Sequence, residues 1–366
     1  LTPTSSGELN DTIGEFQRLS RPQFDRAFAS VSPEQYAESS REYRENSRRS
    51  FRALRGRLNG LRKSAAFASA QSGTGATVDL AALAGVPEKP CGLWHKGFVR
   101  SFNQEQPGVA TLMPITDDFS SLGFDAAFGK NFVAGFGRDQ SDVTTNSEIA
   151  YGEGAVDGYR HFAYGSYTLD DRFYTDIAMF KGDEDYSHQR ELTIGTLEGS
   201  AASEHDGESF SSYIEAGGLL TSRSSMLQPF GSLEYIYFRE DGFTESGGGP
   251  VALRIEDAER DLLVSNLGVR ATKMWKADDW TIMPEISLAW RYDIDPADYS
   301  TTASFVSAPG QYFVLDGKDD SPHALAIGAS LDIGNYGKFR SILDFTGELF
   351  TDDNRYDVEW RLEYNF

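Results

Sequence analysis

Between Arg41 and Lys63 the chain reads REYRENSRRSFRALRGRLNGLRK, with nine Arg or Lys residues against two Glu. Its net charge of +7 stands in a chain whose total is -22, so the other residues carry -29. Guanidinium groups bind carboxylates through paired hydrogen bonds, so this stretch can hold or be held by acidic surfaces. Arg41, Arg44, Arg48, Arg52, Arg55 and Arg62 recur at steps of three, four or seven and share one helical face. Phe51, Leu54, Leu58 and Leu61 form a second stripe at the same period. Gly56 and Gly60 weaken the helix by roughly 1 kcal/mol each. A helix of about 30 residues starting near Pro33-Glu34 would span roughly 45 Å, enough to cross a bilayer core but too charged to do so against lipid. Taken alone, the stretch fits a surface helix, a coiled coil or an RNA-binding arm. The rest of the chain favours a basic helix inside an acid-lined barrel.

Composition removes several function classes. The chain has no apolar run of 18 residues, so it holds no transmembrane helix by sequence. Its acidity argues against nucleic acid as a partner of the main body. The single cysteine, Cys91, forms no internal disulfide, and the five histidines show no metal-ligand spacing. We therefore expect no cofactor and no metal. Neither GxSxG nor another nucleophile motif is present, so no catalytic residues are assigned and the chain is not expected to be an enzyme. The opening LTPTSSGELN lacks the features of a signal peptide, which is expected of a mature or truncated secreted form.

Residues 1–40 carry weaker helical signals, with a start at Ser32-Pro33-Glu34. Residues 64–92 are small and nearly uncharged, and are expected to be a linker. From Leu93 the period changes to 2. In Tyr356 to Phe366, Tyr356, Val358, Trp360, Leu362, Tyr364 and Phe366 oppose Asp357, Glu359, Arg361, Glu363 and Asn365. Trp280 to Ile294 and His323 to Ile333 alternate in the same way. Charge at mid-strand on the polar face suits an aqueous lumen, and Trp and Tyr near the ends of the apolar face suit interfacial girdles. The spacing predicts twelve strands at about 93–104, 119–128, 131–139, 156–168, 172–182, 208–220, 227–240, 260–275, 280–294, 322–334, 339–350 and 355–366. Brief connections alternate with long ones rich in Gly, Ser, Asp and Glu, as in an outer-membrane barrel. The stretch Tyr299 to Phe313 is expected to be a hairpin standing beyond the membrane, and Gly182 to Glu208 an acidic loop.

These residues resemble the autotransporter β-domain, the translocator of type V secretion. Leu93-Trp94-His95-Lys96-Gly97-Phe98 is similar to that family's opening strand. Leu227 to Tyr235 resembles its l-x-P-x-a-x-l-x-Y strand, Phe243 to Gly247 its F-x-E-x-G loop, and Leu263 to Arg270 its l-x-s-x-l-G-x-r strand. Met283 to Arg291 resembles its strand with Pro and Trp, and Glu363-Tyr364-Asn365-Phe366 its ending. The resemblance implies an all-β, twelve-stranded antiparallel transmembrane β-barrel (93–366) whose lumen is plugged by a helix at the end of an exported passenger (1–63). It implies insertion in the outer membrane of a Gram-negative-type bacterium with the N-terminal side at the cell surface. The implied partners are the chain's own passenger, outer-membrane lipid and the barrel-assembly machinery, and the chain is expected to be a monomer. Trp360, Leu362, Tyr364 and Phe366 take the place of the assembly signal. Glu234, Glu285, Asp293, Asp332, Asp344, Glu348, Glu359 and Glu363 are the expected inward-facing partners of the helix arginines, in a lumen wet enough that each pair contributes about 1 kcal/mol or less. Some family members cut their own passenger inside the barrel by Asn cyclisation at an Asn-Asn pair in the helix; this chain has no such pair, and Asn59-Gly60 is its nearest chemical relative. Two other classes remain: a channel gated by its N-terminal helix, and an outer-membrane hydrolase with its site in the loops.

Overall fold

A computed structural model describes residues 6–72, 91–105, 112–147, 152–170, 172–295, 300–315, 321–335, 339–351 and 354–364. Twelve strands, each hydrogen-bonded antiparallel to the next, form one sheet in chain order. They are β1 (Cys91–Glu105), β2 (Leu112–Phe128), β3 (Phe132–Ser147), β4 (Gly152–Leu169), β5 (Phe173–Ile194), β6 (Leu197–Gly218), β7 (Ser225–Glu240), β8 (Ala258–Lys273), β9 (Trp280–Asp295), β10 (His323–Asn335), β11 (Phe339–Phe350) and β12 (Asn354–Tyr364). The last strand comes alongside the first, so the sheet curls back on itself as a barrel.

The period of 2 decides which way each side chain points. On β5, Phe173, Ile177 and Met179 are exposed, whereas Tyr174, Asp176, Ala178 and Phe180 are buried. The exposed apolar side chains form a belt: Phe136 is 64% exposed, Leu267 and Ile286 each 65%, and Trp360 60%. In water such a surface would be costly; against lipid it is the favourable one. No helix among the described residues is long and apolar enough to cross a membrane, a statement that leaves crossing by strands untouched.

The two ends of the barrel differ. At one end the connections are short, and Gly129, Asp170 and Asp278 take left-handed backbone conformations in them. The other end is extended. There β5 and β6 run 22 residues each and meet at a turn where Gly195 has φ +64°. The expected acidic loop from Gly182 to Glu208 is therefore a hairpin of the wall itself. Its outer side chains are polar because it stands beyond the apolar belt, which removes the hydrophobic signal that marks a strand in the sequence. The expected hairpin after β9 is present as Thr301–Phe305 paired with Tyr312–Leu315. It joins Leu253–Ile255 and Phe243–Thr244 in a separate four-stranded sheet at the extended end.

Three helices precede the wall: α1 (Ser6–Phe16), α2 (Arg21–Val31) and α3 (Glu34–Ser72). The backbone N–H of Ser20 donates to Gln23 Oε1 at 3.1 Å and fixes the start of α2. Helix α3 has 39 residues, about 58 Å at the α-helical rise. It continues through Ser72 into the stretch expected as linker, and 73–90 lie outside the described residues. Ala27 and Val31 of α2 are buried with Leu192 and Ile194 at the tip of β5, whereas Ala66 and Phe67 of α3 are buried with Tyr174, Leu219 and Met226 at the short-turn end. The helix thus runs the length of the lumen.

Inside the wall, aromatic side chains lie on glycines. A Cβ added at Gly123 would lie 2.4 Å from the Trp94 ring, whose Nε1 donates to the Tyr164 hydroxyl at 2.9 Å. We expect Gly123→Ala to destabilise the folded barrel by about 1–3 kcal/mol. The cost should shrink sharply in a Trp94→Ala background, as read from the heat-modifiable shift of the folded band in a double-mutant cycle.

Candidate functional site: the helix in the lumen

The buried surface of α3 divides into two kinds. Phe51, Leu54, Leu58 and Leu61 pack on an apolar wall that includes Phe162, Phe180, Tyr213, Ile236, Phe238 and Val264. Phe51 meets Phe180 edge-on at 5.4 Å and stacks on Tyr213 at 5.7 Å. The basic side chains reach carboxylates at successive depths.

At the extended end, Tyr36 donates to Glu245 Oε1 at 2.6 Å. Glu245 also accepts from Arg190 at 2.6 and 3.0 Å, and from the backbone N–H of Leu253 at 2.7 Å. Arg190 donates onward to the Ser30 carbonyl at 2.7 Å, so one buried pair ties the α2–α3 junction to the barrel rim. This gives the F-x-E-x-G pattern its physical content. Glu245 is the anchoring carboxylate, and Gly247, at φ +80°, sits where a Cβ would lie 2.4 Å from the Ser200 carbonyl oxygen.

Deeper in, Arg48 binds Glu348 through both terminal nitrogens, at 2.5 and 2.8 Å, and approaches Glu234 at 3.5 Å. Arg57 binds Asp125 at 3.0 and 3.1 Å, and Tyr164 donates to the same carboxylate at 2.8 Å. Asn59 Nδ2 donates to both oxygens of Glu285 at 3.1 Å, Thr272 adds a bond at 2.7 Å, and Lys63 lies 3.3 Å away. Arg62 donates to Asp176 at 2.7 Å, lies over the Tyr174 ring at 3.9 Å, and is 3.9 Å from Glu215. Glu215 is held in turn by Arg270 at 2.6 and 2.8 Å.

Of the six stripe arginines, Arg48 and Arg62 make ion pairs with the wall, and Arg55 adds its charge to the field at Glu215. Arg52 is half-buried. The side chains of Arg41 and Arg44 lie outside the described residues. Among the expected acids, Glu234, Glu285 and Glu348 meet the helix. Asp293 and Asp332 are held by wall residues, Arg291 and Arg340, and the Arg340 guanidinium lies close beside Gly60. Asp344 is half-buried and Glu359 buried. Trp360 is exposed on the outer face, and its Nε1 donates to Ser341 at 3.0 Å. The side chains of Leu362, Tyr364 and Glu363, and all of Phe366, lie outside the described residues. Arg57, Asn59 and Lys63, with Asp125, Asp176 and Glu215, are the residues sequence reasoning missed. A single-stripe rule picks one face of a helix, whereas a helix inside a barrel has wall on every side. The three acids did carry a signal, since each alternates with inward aromatic or small residues, as Asp176 does between Tyr174 and Ala178.

The expected wetness of these pairs is corrected by their burial. Arg62 is 1% and Asp176 0% exposed. An Arg with no carboxylate here would cost several kcal/mol, and the pair repays that cost only while both members are present. The site offers strong fixed contacts between helix and wall. Among the described residues no group of three or more His, Cys, Asp or Glu is placed to hold a metal.

Beyond the apolar belt, burial and the neighbouring His205 hold the His188 imidazole down at about 3, and burial holds that of His205 down at about 4. Their rings pack around Tyr36 and Phe243, His188 at 5.0 Å from Tyr36 and His205 at 4.1 Å from Phe243. Burial, and then the Glu245 carboxylate, raise the Tyr36 phenol, so it stays protonated and donating.

The autotransporter β-domain model matches residues 93–341. The chain is 28% identical over 190 residues to an uncharacterised protein in the trpE-trpG intergenic region of Pseudomonas putida, covering 51% of this chain and 29% of that one. It is 25% identical over 207 residues to the esterase EstA of Pseudomonas aeruginosa, covering 56% and 31%. A 93-residue stretch is 31% identical to an extracellular serine protease of Serratia marcescens, covering 25% and 9%. The matches thus span less than a third of these relatives. In structure, the chain is similar to the translocator domain of the autotransporter NalP from Neisseria meningitidis, with a TM-score of 0.65, 14% identity and coverage of 90% and 98%. It is also similar to the transport unit of AIDA-I from Escherichia coli, with a TM-score of 0.55, 14% identity and coverage of 84% and 99%. At these identities the two structures speak for the fold.

Two outcomes follow from this geometry. Asp176→Asn leaves Arg62 buried without its carboxylate, and should destabilise the folded protein by about 3–5 kcal/mol in urea titration in detergent, far more than Asn at exposed Asp183. At the rim, His188 and His205 are neutral when packed, but titrate near 6.5 once exposed. Closure is therefore fully favoured above about pH 6.5 and loses favour as pH falls towards 4. Amide exchange over Val31 to Tyr36, corrected for intrinsic rate, should accelerate between pH 7 and 5.

Proposed function

The chain belongs to the autotransporter β-domain family, and from that premise we propose that it supports export of an N-terminal passenger to the cell surface and then anchors it. As a member it is an outer-membrane β-barrel of type V secretion. The carrying observation is that α3 runs through the whole lumen, with its N-terminal side at the extended end and buried ion pairs along its depth. In this reading the extended end faces outside, and the segment before Leu1 continues into the passenger. The helix closes the pore after export. Arg48 and Arg62 of the stripe, together with Arg57 and Lys63, hold it against the acidic wall.

No reaction is assigned to this chain. The names of the serine protease and the esterase describe proteins most of whose length lies outside the match, so those activities are not transferred. The alternating outer face of β12, with Trp360 exposed upon it, supports reading Trp360, Leu362, Tyr364 and Phe366 as what the barrel-assembly machinery recognises. Asn59 is held by its amide to Glu285 in unbroken helix, which favours a passenger that stays attached.

Protease treatment of intact cells carrying an epitope fused before Leu1 tests the reading. The tag should be shaved while the barrel stays folded. If the tag survives until the outer membrane is broken, the N-terminal side does not reach the surface, and a channel gated by its helix becomes the better reading.

A further inference from the structure

Strand register places the outward-facing side chains of neighbouring strands in rows. One row carries Arg138 on β3, His161 on β4 and Lys181 on β5, each directly opposite the next and all exposed. The row immediately within the belt, two positions along the same strands, holds Phe136, Ala163 and Met179. On the far side come Gln140, Tyr159 and Asp183, and then Asp142, Asp157 and Asp185. Asp118 and Asp206 extend this last row onto β2 and β6. The outer wall therefore passes from apolar to cationic to anionic within a few residues.

Three basic side chains at the edge of an apolar belt meet the level where lipid headgroups begin. Arg138 and Lys181 flank His161, whose ring N–H is a further donor, so an anion laid across the row meets two cations and three donor groups. The Arg138 guanidinium lies over the Tyr159 ring at 4.2 Å, a stacking that leaves its N–H edges for hydrogen bonding. Lys181 is paired with Glu208 at 2.7 Å, and both are well exposed, so this pair is weak and can exchange. The aspartate row repels an anion placed farther out, which confines the favourable strip to the level of the basic row.

We propose that the row Arg138, His161 and Lys181 is a binding strip for the phosphates of an outer-leaflet lipid whose headgroup carries two of them. Adjacent strands lie about 4.8 Å apart, so the three side chains span roughly 10 Å, matching a pair of phosphates better than one. The acyl chains would lie down the belt over Phe136 and Met179. The assignment to the outer leaflet rests on the extended end facing the cell surface; binding of the lipid by the purified protein does not.

The test is titration of the folded full chain in detergent with a bis-phosphorylated diglucosamine lipid, read by native mass spectrometry against the same lipid without phosphates. The phosphorylated form should bind about tenfold more tightly, equivalent to about 1.4 kcal/mol. Combined Arg138→Gln, His161→Gln and Lys181→Gln should abolish that preference, whereas Lys273→Gln at the short-turn end should leave it unchanged. Glu208→Gln, by releasing Lys181, should strengthen binding. Equal affinity of the native chain for the two lipids, or a preference that survives the triple substitution, overturns the proposal. So does inorganic pyrophosphate alone binding as tightly as the lipid, which would make the row an ion site and not a lipid surface. A protected epitope in intact cells would reverse the leaflet without touching this titration, so the two readings fail separately.

Discussion

A charged helix can sit at membrane depth only if its charges are compensated away from lipid, and much of the compensation here is built into the wall. Strand closure comes first. A barrel leaves no unpaired backbone edge facing lipid, so it can cross where an open sheet cannot. Alternation then separates two environments across one layer of backbone. Phe136 and Leu267 face lipid, while Asp125, Asp176, Glu215 and Glu285 face the helix. Each arginine inside carries a desolvation cost of several kcal/mol, which only a close carboxylate offsets. The positions of those carboxylates therefore dictate where the helix can rest.

How far the sequence discloses this arrangement varies with depth. Within the belt, lipid outside and lumen inside make the period of 2 plain, and β9 to β12 are legible almost residue by residue. Beyond the belt both faces of β5 and β6 carry polar residues: Glu184, His188 and Arg190 face inward, and Asp183, Asp185 and Gln189 outward. The strand continues because its backbone pairs, but a hydrophobicity pattern has nothing to report there. The wall's inner surface was only half legible for a related reason. Glu234, Glu285 and Glu348 were expected to meet the helix and Asp125, Asp176 and Glu215 were not, whereas the apolar patch of Phe162, Phe180, Ile236 and Val264 depends on residues from four strands converging. The stripe Phe51 to Leu61 was visible, but nothing in one helix says what covers its apolar face.

The F-x-E-x-G stretch shows what a local pattern holds and what it omits. In sequence it is five residues in an acidic connection. In the fold, Glu245 accepts from Tyr36, Arg190 and Leu253, partners that lie 209, 55 and 8 positions away along the chain. The pattern marks the carboxylate and the glycine that lets the loop turn back over β6. It cannot mark Tyr36 or Arg190, because their role exists only once the helix has entered the rim.

The spread of contacts along α3 also limits how the helix can move. Arg48, Arg57, Asn59, Arg62 and Lys63 span about 22 Å of helix at 1.5 Å per residue. A shift of one turn, about 5.4 Å, would take all of them from their carboxylates together and carry Phe51 away from Phe180 and Tyr213. No single pair has to be strong for the register to be strongly preferred, because the pairs are lost together and each lost pair leaves a buried charge on both sides. The rim cluster adds a fixed stop at Tyr36 and the Phe67 cluster another at the short-turn end. The helix is thereby held as a unit, and its release requires loosening the wall, since movement along the pore axis meets misplaced charge at every depth.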